Sequence, residues 1–408
     1  MTAPDETTRD PTFRFEYHPA TIRFGAGCVD DLEAELEALG LERALVVCGS
    51  TVGGTTEVID PVREGVGDRL AGVFDETTPD KRLGTAFDGL DRLEAEDADV
   101  LVSVGGGSSL DVAKAISVLA ASDRSRDRVA EEFAQTGTID VPDDGLVPIV
   151  AVPTTLAGAD LSTGAGITAA PDSGLVDEEL GGGISDPGLM PTAAFYDPEL
   201  VATTPDSILV GSAMNGFDKG LETIYAANAT PVTDAAARHG LEKFEDGLEA
   251  FGQGERDLAV YEALLEGLIL VQYGISRPDG TTLSIVHGFG HGLRDAYDLQ
   301  QGVAHAVVVP HVLRYLFEHE DVDARAGLLA NALGVGEAAD HGAAVVDRVA
   351  ELCDELGLPF RLRDLESVGD DDFADVAEAI LADGFMANAP PGLDPTAEEI
   401  EGVLEEAW

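Results

Sequence analysis

From Asp99 to Lys114 the chain reads DVLVSVGGGSSLDVAK, an apolar β-branched run that empties into three consecutive glycines and resumes as a helix. The run has no polar alternation, so it predicts a strand buried on both faces, as in a parallel sheet. Three glycines let the backbone approach a ligand closely, while Ser108 or Ser109 is placed to cap the helix and Asp111 to close a capping box. Amides left open at such a helix start form an anion site. A serine-capped glycine turn also occurs in proteins that bind no nucleotide, and these residues alone leave both readings open.

Two more runs, ALVVC (Ala44 to Cys48) and VPIVAVP (Val147 to Pro153), read as buried strands. The amphipathic stretches DDLEAELEAL, just before ALVVC, and AFDGLDRLEAE, just before DVLVSV, read as the helices that alternate with the strands. Strands alternating with helices imply a parallel α/β sheet. After DPEL (Asp197 to Leu200) the strand signals stop, and long apolar helices such as VYEALLEGLILVQYGI and HGAAVVDRVAELCDELG follow. The expected organisation is a disordered acidic lead-in over 1–11, an α/β domain over 12–200 and an all-helical domain over 201–408. The N-terminus lacks the basic flank and apolar segment of a secretion signal, and no apolar run is long enough to span a membrane, so a cytoplasmic protein is expected. Cys28, Cys48 and Cys353 show no CxxC spacing and read as free thiols.

Seventy-eight acidic residues against 24 basic ones give a net charge of −54, and only four lysines remain: Lys81, Lys114, Lys219 and Lys243. Such a surface repels itself unless salt screens it, over about 3 Å at molar ionic strength. The balance is that of a cytoplasmic protein from a high-salt organism. It excludes nucleic-acid binding, for want of cations to neutralise phosphates, and the regular apolar periodicity excludes an acidic disordered chain.

GGGSSLDVAK resembles the GGGSxxDxAK signature of the iron-containing alcohol dehydrogenase superfamily, which includes glycerol dehydrogenase and, more distantly, dehydroquinate synthase. RFGAG (Arg23 to Gly27), VPTTLAGAD (Val152 to Asp160), FYDPEL (Phe195 to Leu200), HGFGH (His287 to His291) and VVVPH (Val307 to His311) follow in the family's order, over roughly residues 12 to 404. The short PTTLAGAD loop and AMNGFDKGLETIYA (Ala213 to Ala226) look like the maleylacetate reductase branch. The resemblance implies the iron-type alcohol dehydrogenase fold: an α/β dinucleotide-binding domain, a helical domain, and a cleft for NAD(P), substrate and usually a divalent metal. It implies an alcohol dehydrogenase or carbonyl reductase acting on a small alcohol, aldehyde or ketone, a keto acid included, in a homo-oligomer of at least two chains. Carried onto this sequence, the cofactor contacts are Gly49, Ser50, Gly105, Gly106, Gly107, Ser108, Asp111, Lys114, Thr154 and Thr155. NAD-specific members tend to place an aspartate after ALVV, whereas this chain continues Cys48-Gly49-Ser50-Thr51, so NADP(H) is expected to be accepted and even preferred.

Metal-binding members carry DxxxH on one helix, then HxxxH and a later PHG. With Glu222 and Thr233-Asp234 as anchors, the DxxxH positions fall on Asn215 and Lys219, His287 stands at HxxxH, and Gln301 occupies the PHG histidine. A protonated lysine has no lone pair, so this register predicts no metal, with the Lys219 ammonium polarising the substrate oxygen in its place. His291 is then the proton relay, His287 orients substrate, and Asn215, Gln301 and His305 are substrate contacts. Five of the eight histidines lie between residues 287 and 319, which favours a site. The bland alternative makes Lys219 a helix-surface lysine paired with Asp218 or Glu222. A register shifted by three residues gives Asp218 and Glu222 at i,i+4 as ligands with His287, hence a metal-dependent enzyme. A catalytically silent nucleotide-binding relative also stays open, while a dehydroquinate synthase-like lyase is disfavoured by the shortage of cations for an anionic substrate.

Overall fold

The structure, a computed structural model, describes residues 12–297, 299–370 and 372–408, so the expected disorder over 1–11 lies outside the described residues. Two compact units emerge: His18–Thr204, and Pro205–Trp408 together with the described residues up to Tyr17. No helix among the described residues is long and apolar enough to cross a membrane.

In the first unit, six parallel strands form a sheet: β1 (Thr21–Phe24), β2 (Ala44–Gly49), β3 (Leu70–Thr77), β4 (Val100–Gly105), β5 (Ile149–Pro153) and, after a hairpin, β8 (Ala193–Tyr196). Their order across the sheet is β1-β8-β5-β4-β2-β3. The adjacent interior strands β2 and β4 carry ALVVCG and VLVSVG, and side chains such as Val46, Val47, Val102 and Val104 are fully buried. This is why they read as continuous apolar runs rather than alternating ones. The chain runs outward from β2 to β3 and returns to place β4 on the other side of β2. That reversal opens a crevice at the carboxyl ends of β2 and β4, where ligands bind in sheets of this kind. The hairpin itself, β6 (Gly164–Ala169) and β7 (Leu180–Ser185), is antiparallel.

The helix after β4, Gly107–Ala120, is buried along most of its length, and it contains a fully buried lysine. Lys114 Nζ donates to Ser162 O at 2.7 Å, Ser162 Oγ at 2.9 Å and Gly164 O at 2.8 Å. An ammonium has three protons, and all three are engaged. Asp111 on the same helix pairs with Lys81 at 2.6 Å and accepts the Gly166 amide at 3.2 Å. The polar atoms of both residues tie the helix to the segment that opens β6. The expected capping box is absent for the same reason. Gly106 is the N-cap without a side-chain cap bond, Ser109 Oγ bonds Thr77 Oγ1 at 2.9 Å, and Asp111 faces Lys81.

The second unit is built from long helices, chief among them Asp206–Tyr225, Pro231–Gly252, Leu258–Gln272, Ile285–Tyr297, Gln301–Glu318 and His341–Glu355. Starts are set by side chains: Thr230 and Thr233 form a reciprocal capping box, and Thr396 with Glu399 forms another. The unit is not wholly helical. A short antiparallel ladder, β9 (Ser276–Arg277) with β10 (Gly280–Thr281), flanks the turn residues Pro278 and Asp279. Residues 12–17, expected with the α/β domain, group here because Tyr17 stacks edge-on against Tyr273 at 4.8 Å and Arg277 lies over the Phe15 ring at 5.5 Å.

Replacing Lys114 with methionine keeps an unbranched side chain of nearly the same length but removes the ammonium from its three acceptors. Urea unfolding of Lys114→Met is expected to show a loss of about 3 kcal/mol, with unchanged stability refuting the clamp.

Candidate active site

In the first unit the glycine turn ends β4 against the loop that follows β5. Gly105 has φ of 127°, a conformation that only glycine adopts without strain, and its carbonyl accepts the Thr154 amide at 3.0 Å. A side chain on Gly106 would meet Thr155, and one on Gly107 would meet Ala159. Gly105, Gly106, Gly107, Ser108, Thr154 and Thr155 are thereby gathered at the carboxyl ends of two adjacent strands, and Gly49 and Ser50 stand at the end of the neighbouring β2. With no side chain capping it, the start of this helix retains open amide donors for an anion.

In the second unit three helices converge. Asp206–Tyr225 supplies Asn215, Asp218, Lys219 and Glu222; Ile285–Tyr297 supplies His287 and His291; Gln301–Glu318 supplies Gln301 and His305. The first and third cross very closely, because a Cβ on Gly302 would stand 1.7 Å from Gly211 O. The second and third are fitted to each other at Gly290, where a Cβ would lie 2.0 Å from His305 Nε2. These two glycines bring His305 to Asp218 and His287.

Asp218, His287 and His305 are buried, and one potential ligand atom from each lies within 4.8 Å of the others. Asp218 Oδ2 is in ion-pair contact with His305 Nδ1. Neither Asp218 oxygen nor either His305 nitrogen, however, has a partner in hydrogen-bond geometry among the described residues. Glu222 takes a different part. Its carboxylate accepts the backbone amide of His287 at 3.0 Å and contacts Nδ1 of the same ring at 2.5 Å, fixing the imidazole. Burial pushes the Asp218 carboxyl well above the ordinary carboxylate range and Glu222 up to about 7. It holds His287 well below its usual value and His305 down to about 3, so both rings are neutral near pH 7.

Lys219 is only 7 % exposed, with Nζ 3.5 Å from Asn215 Oδ1. Its charge is felt by Asp218, His287 and His305, but it stands beside the trio rather than in it. Asn215 and Gln301, on the first and third of these helices, are half-buried. His291, 28 % exposed, points Nδ1 at Asp383 Oδ2 at 2.9 Å. Phe385 packs its ring 5.3 Å from His291 and 5.9 Å from His287. Sequence reading missed Asp383 and Phe385, and the only local signal there was the Asp-Gly pair of a helix start.

Residues 19–198 match the iron-containing alcohol dehydrogenase family, and residues 209–408 match the C-terminal part of the same Fe-containing family. A methanol dehydrogenase of Bacillus methanolicus, described as NAD-dependent, is 30 % identical over 73 % of this chain and 74 % of its own. The chain belongs to the iron-containing alcohol dehydrogenase family. It is accordingly an enzyme, an alcohol dehydrogenase. A maleylacetate reductase of Burkholderia cepacia is 29 % identical over 74 % of this chain and 75 % of its own. A solved 1,3-propanediol oxidoreductase superposes with a TM-score of 0.83 at 25 % identity, covering 97 % of this chain and 100 % of its own.

The family's name implies a metal, and the residues present fit one. Two neutral imidazoles and a carboxylate, all lacking other hydrogen-bond partners on Asp218 and His305, form a donor set suited to iron or zinc. A cation also removes the cost of burying Asp218 ionised. The observed group differs from both registers drawn from the sequence: Asp218 and His287 come from the shifted one, Glu222 stands behind His287, and His305 joins them.

Gly290→Ala is expected to displace the His305 ring and weaken retention of a divalent cation at least about tenfold. Dialysis followed by elemental analysis, with circular dichroism to confirm folding, measures this; retention equal to that of the unaltered protein counts against the trio.

Proposed function

We propose that this protein is an NAD(P)-dependent oxidoreductase interconverting a small alcohol and an aldehyde or ketone, with a divalent cation held by Asp218, His287 and His305. The observation that carries the reading is the buried trio whose carboxylate and His305 imidazole have no hydrogen-bond partners among the described residues. When bound, the nicotinamide carries the hydride and the cation polarises the carbonyl oxygen.

The chain's own residues do the rest. Glu222 orients His287 through Nδ1, leaving Nε2 of that ring as its donor atom. His291 takes the hydroxyl proton during oxidation and returns it during reduction, and its partial exposure lets it exchange that proton with solvent. Lys219 adds positive charge beside the developing alkoxide, and Asn215 and Gln301 contact the substrate on the same flank. His305, expected as a substrate contact, is fully buried in the trio and serves as a ligand instead. In the first unit, the amides at the Gly106–Ser108 turn bind the pyrophosphate, with Thr154 and Thr155 shaping the loop beside it. The charge of −54 suits work at high salt, and the family likeness suits a homo-oligomer.

A second reading, in which Lys219 replaces the ion, is favoured by the burial of its ammonium beside the trio. Elemental analysis of protein purified without chelator, paired with hydride transfer over a panel of alcohols and aldehydes, separates the two. The metal reading expects about one iron or zinc per chain, and at least a 10²-fold loss of turnover on chelation, reversed by adding the ion back. Full turnover by metal-free protein, abolished in a folded Lys219→Ala variant, would establish the second reading. No hydride transfer with any partner, despite tight nucleotide binding, would identify a silent relative.

Cofactor choice follows from β2, which ends at Gly49 and continues into Ser50, neither of which carries a carboxylate to repel a 2′-phosphate. The Michaelis constants for NADPH and NADH are expected to lie within about tenfold of each other or to favour NADPH. A hundredfold preference for NADH overturns this.

A further inference from the structure

Asp383 lies 92 residues from His291 in the chain, yet its Oδ2 is 2.9 Å from His291 Nδ1. The contact is held from both sides. Asp383 Oδ1 accepts the Phe385 amide at 2.8 Å, which caps the short turn Gly384–Asn388. Asn388 anchors the far end of that turn: its carbonyl accepts from Ala227 N at 3.1 Å and Ser284 Oγ at 2.9 Å, and its Nδ2 donates to Leu283 O at 2.7 Å. Leu283 and Ser284 immediately precede the helix that carries His287 and His291. The Phe385 ring packs on both imidazoles.

An ionised carboxylate can only accept, so its partner nitrogen must carry the proton. His291 is then the Nδ1–H tautomer, and its Nε2 has the free lone pair. We infer that Asp383 is the positioning residue for proton transfer, fixing the tautomer and orientation of His291 so that Nε2 faces the substrate hydroxyl. This rests on the reading of the protein as an alcohol oxidoreductase and deepens it. In oxidation the substrate O–H and carbinol C–H bonds break as the C=O bond forms: the hydroxyl proton goes to His291 Nε2 and from there to solvent, and the hydride would pass from carbon to a bound nicotinamide. The carbonyl product forms, and Asp383 remains ionised throughout. Its other bonds agree with that state: hydrogen bonds from His291 and the Phe385 amide outweigh burial and hold the carboxyl below the usual aspartate range.

Asp383→Asn isolates this role, because the amide oxygen still caps Phe385 while the amide nitrogen can donate to Nδ1 and drive the proton to Nε2. Melting temperature and metal content should remain those of the unaltered protein, kcat should fall at least tenfold, and KM for the cofactor should not change. In a His291→Gln background, adding Asp383→Asn should cost nothing more, since the aspartate acts through that ring. An unchanged kcat, or losses that multiply in the double variant, overturns the inference. Nitrogen-15 NMR of the imidazoles supplies a readout independent of turnover: His291 should move from the Nδ1–H toward the Nε2–H form on substitution, and an unmoved tautomer sinks the inference. Absence of turnover in the unaltered protein with every substrate would instead overturn the oxidoreductase reading, and the tautomer measurement would still decide the role of Asp383.

Discussion

Removing a carboxylate from water costs several kcal/mol unless a charge or hydrogen-bond donors compensate it, and Asp218 is fully buried with no donor in hydrogen-bond geometry among the described residues. The surrounding helices are arranged around that cost. Gly211 and Gly302 let the helices bearing Asp218 and His305 touch backbone to backbone, and Gly290 leaves a socket for the His305 ring. Glu222 locks His287 through both its amide and its ring. Each of these packings removes a way for Asp218 to relax toward solvent, so the site stores an unmet demand for positive charge. That demand supports the proposed cation, whose binding would draw on an electrostatic cost already built into the fold.

The sheet was legible because strands of a parallel sheet are buried on both faces, so ALVVC and DVLVSV had to be continuous apolar runs. The glycine turn was legible because no other residue fits Gly105's φ of 127°. Less was legible wherever partners lie far apart in sequence. Lys114 and Asp111 sit inside the strongest motif, yet their oxygens and amides come from Ser162 to Gly166, about fifty residues on, which only the folded chain reveals. Asp383 was invisible for the same reason. The grouping of residues 12–17 with the helical unit depends on aromatic contacts with Tyr273 and Arg277 that have no periodic signature.

The helix carrying Asn215 to Glu222 was the hardest case. Asn215 with Lys219, and Asp218 with Glu222, are both i,i+4 pairs, and three residues of offset rotate one pair from the other by only about 60° around the axis. Sequence pattern cannot tell two such neighbouring faces apart when both are polar in an apolar helix. The structure turns Asp218 and Glu222 fully inward and leaves Lys219 just beside them. The lysine count nevertheless carried information. Lys81, Lys114 and Lys219 each meet a buried or functional group, while Lys243 pairs with Glu266 in a half-exposed bridge. At Lys114 a compact three-donor head meets three acceptors around one point, which a planar guanidinium fork would not match.

Three imidazoles of the helical site each face a carboxylate through Nδ1: His287 toward Glu222, His291 toward Asp383 and His305 toward Asp218. The first two pairs are hydrogen bonds, and they fix a ring whose Nε2 is left for other work. The third has the contact without the hydrogen-bond geometry. A carboxylate and an imidazole that served only each other would settle into a good hydrogen bond, as the buried His287–Glu222 pair does. Their failure to do so, at the most buried of the three positions, is the arrangement expected of two groups aimed at a third, shared partner of positive charge.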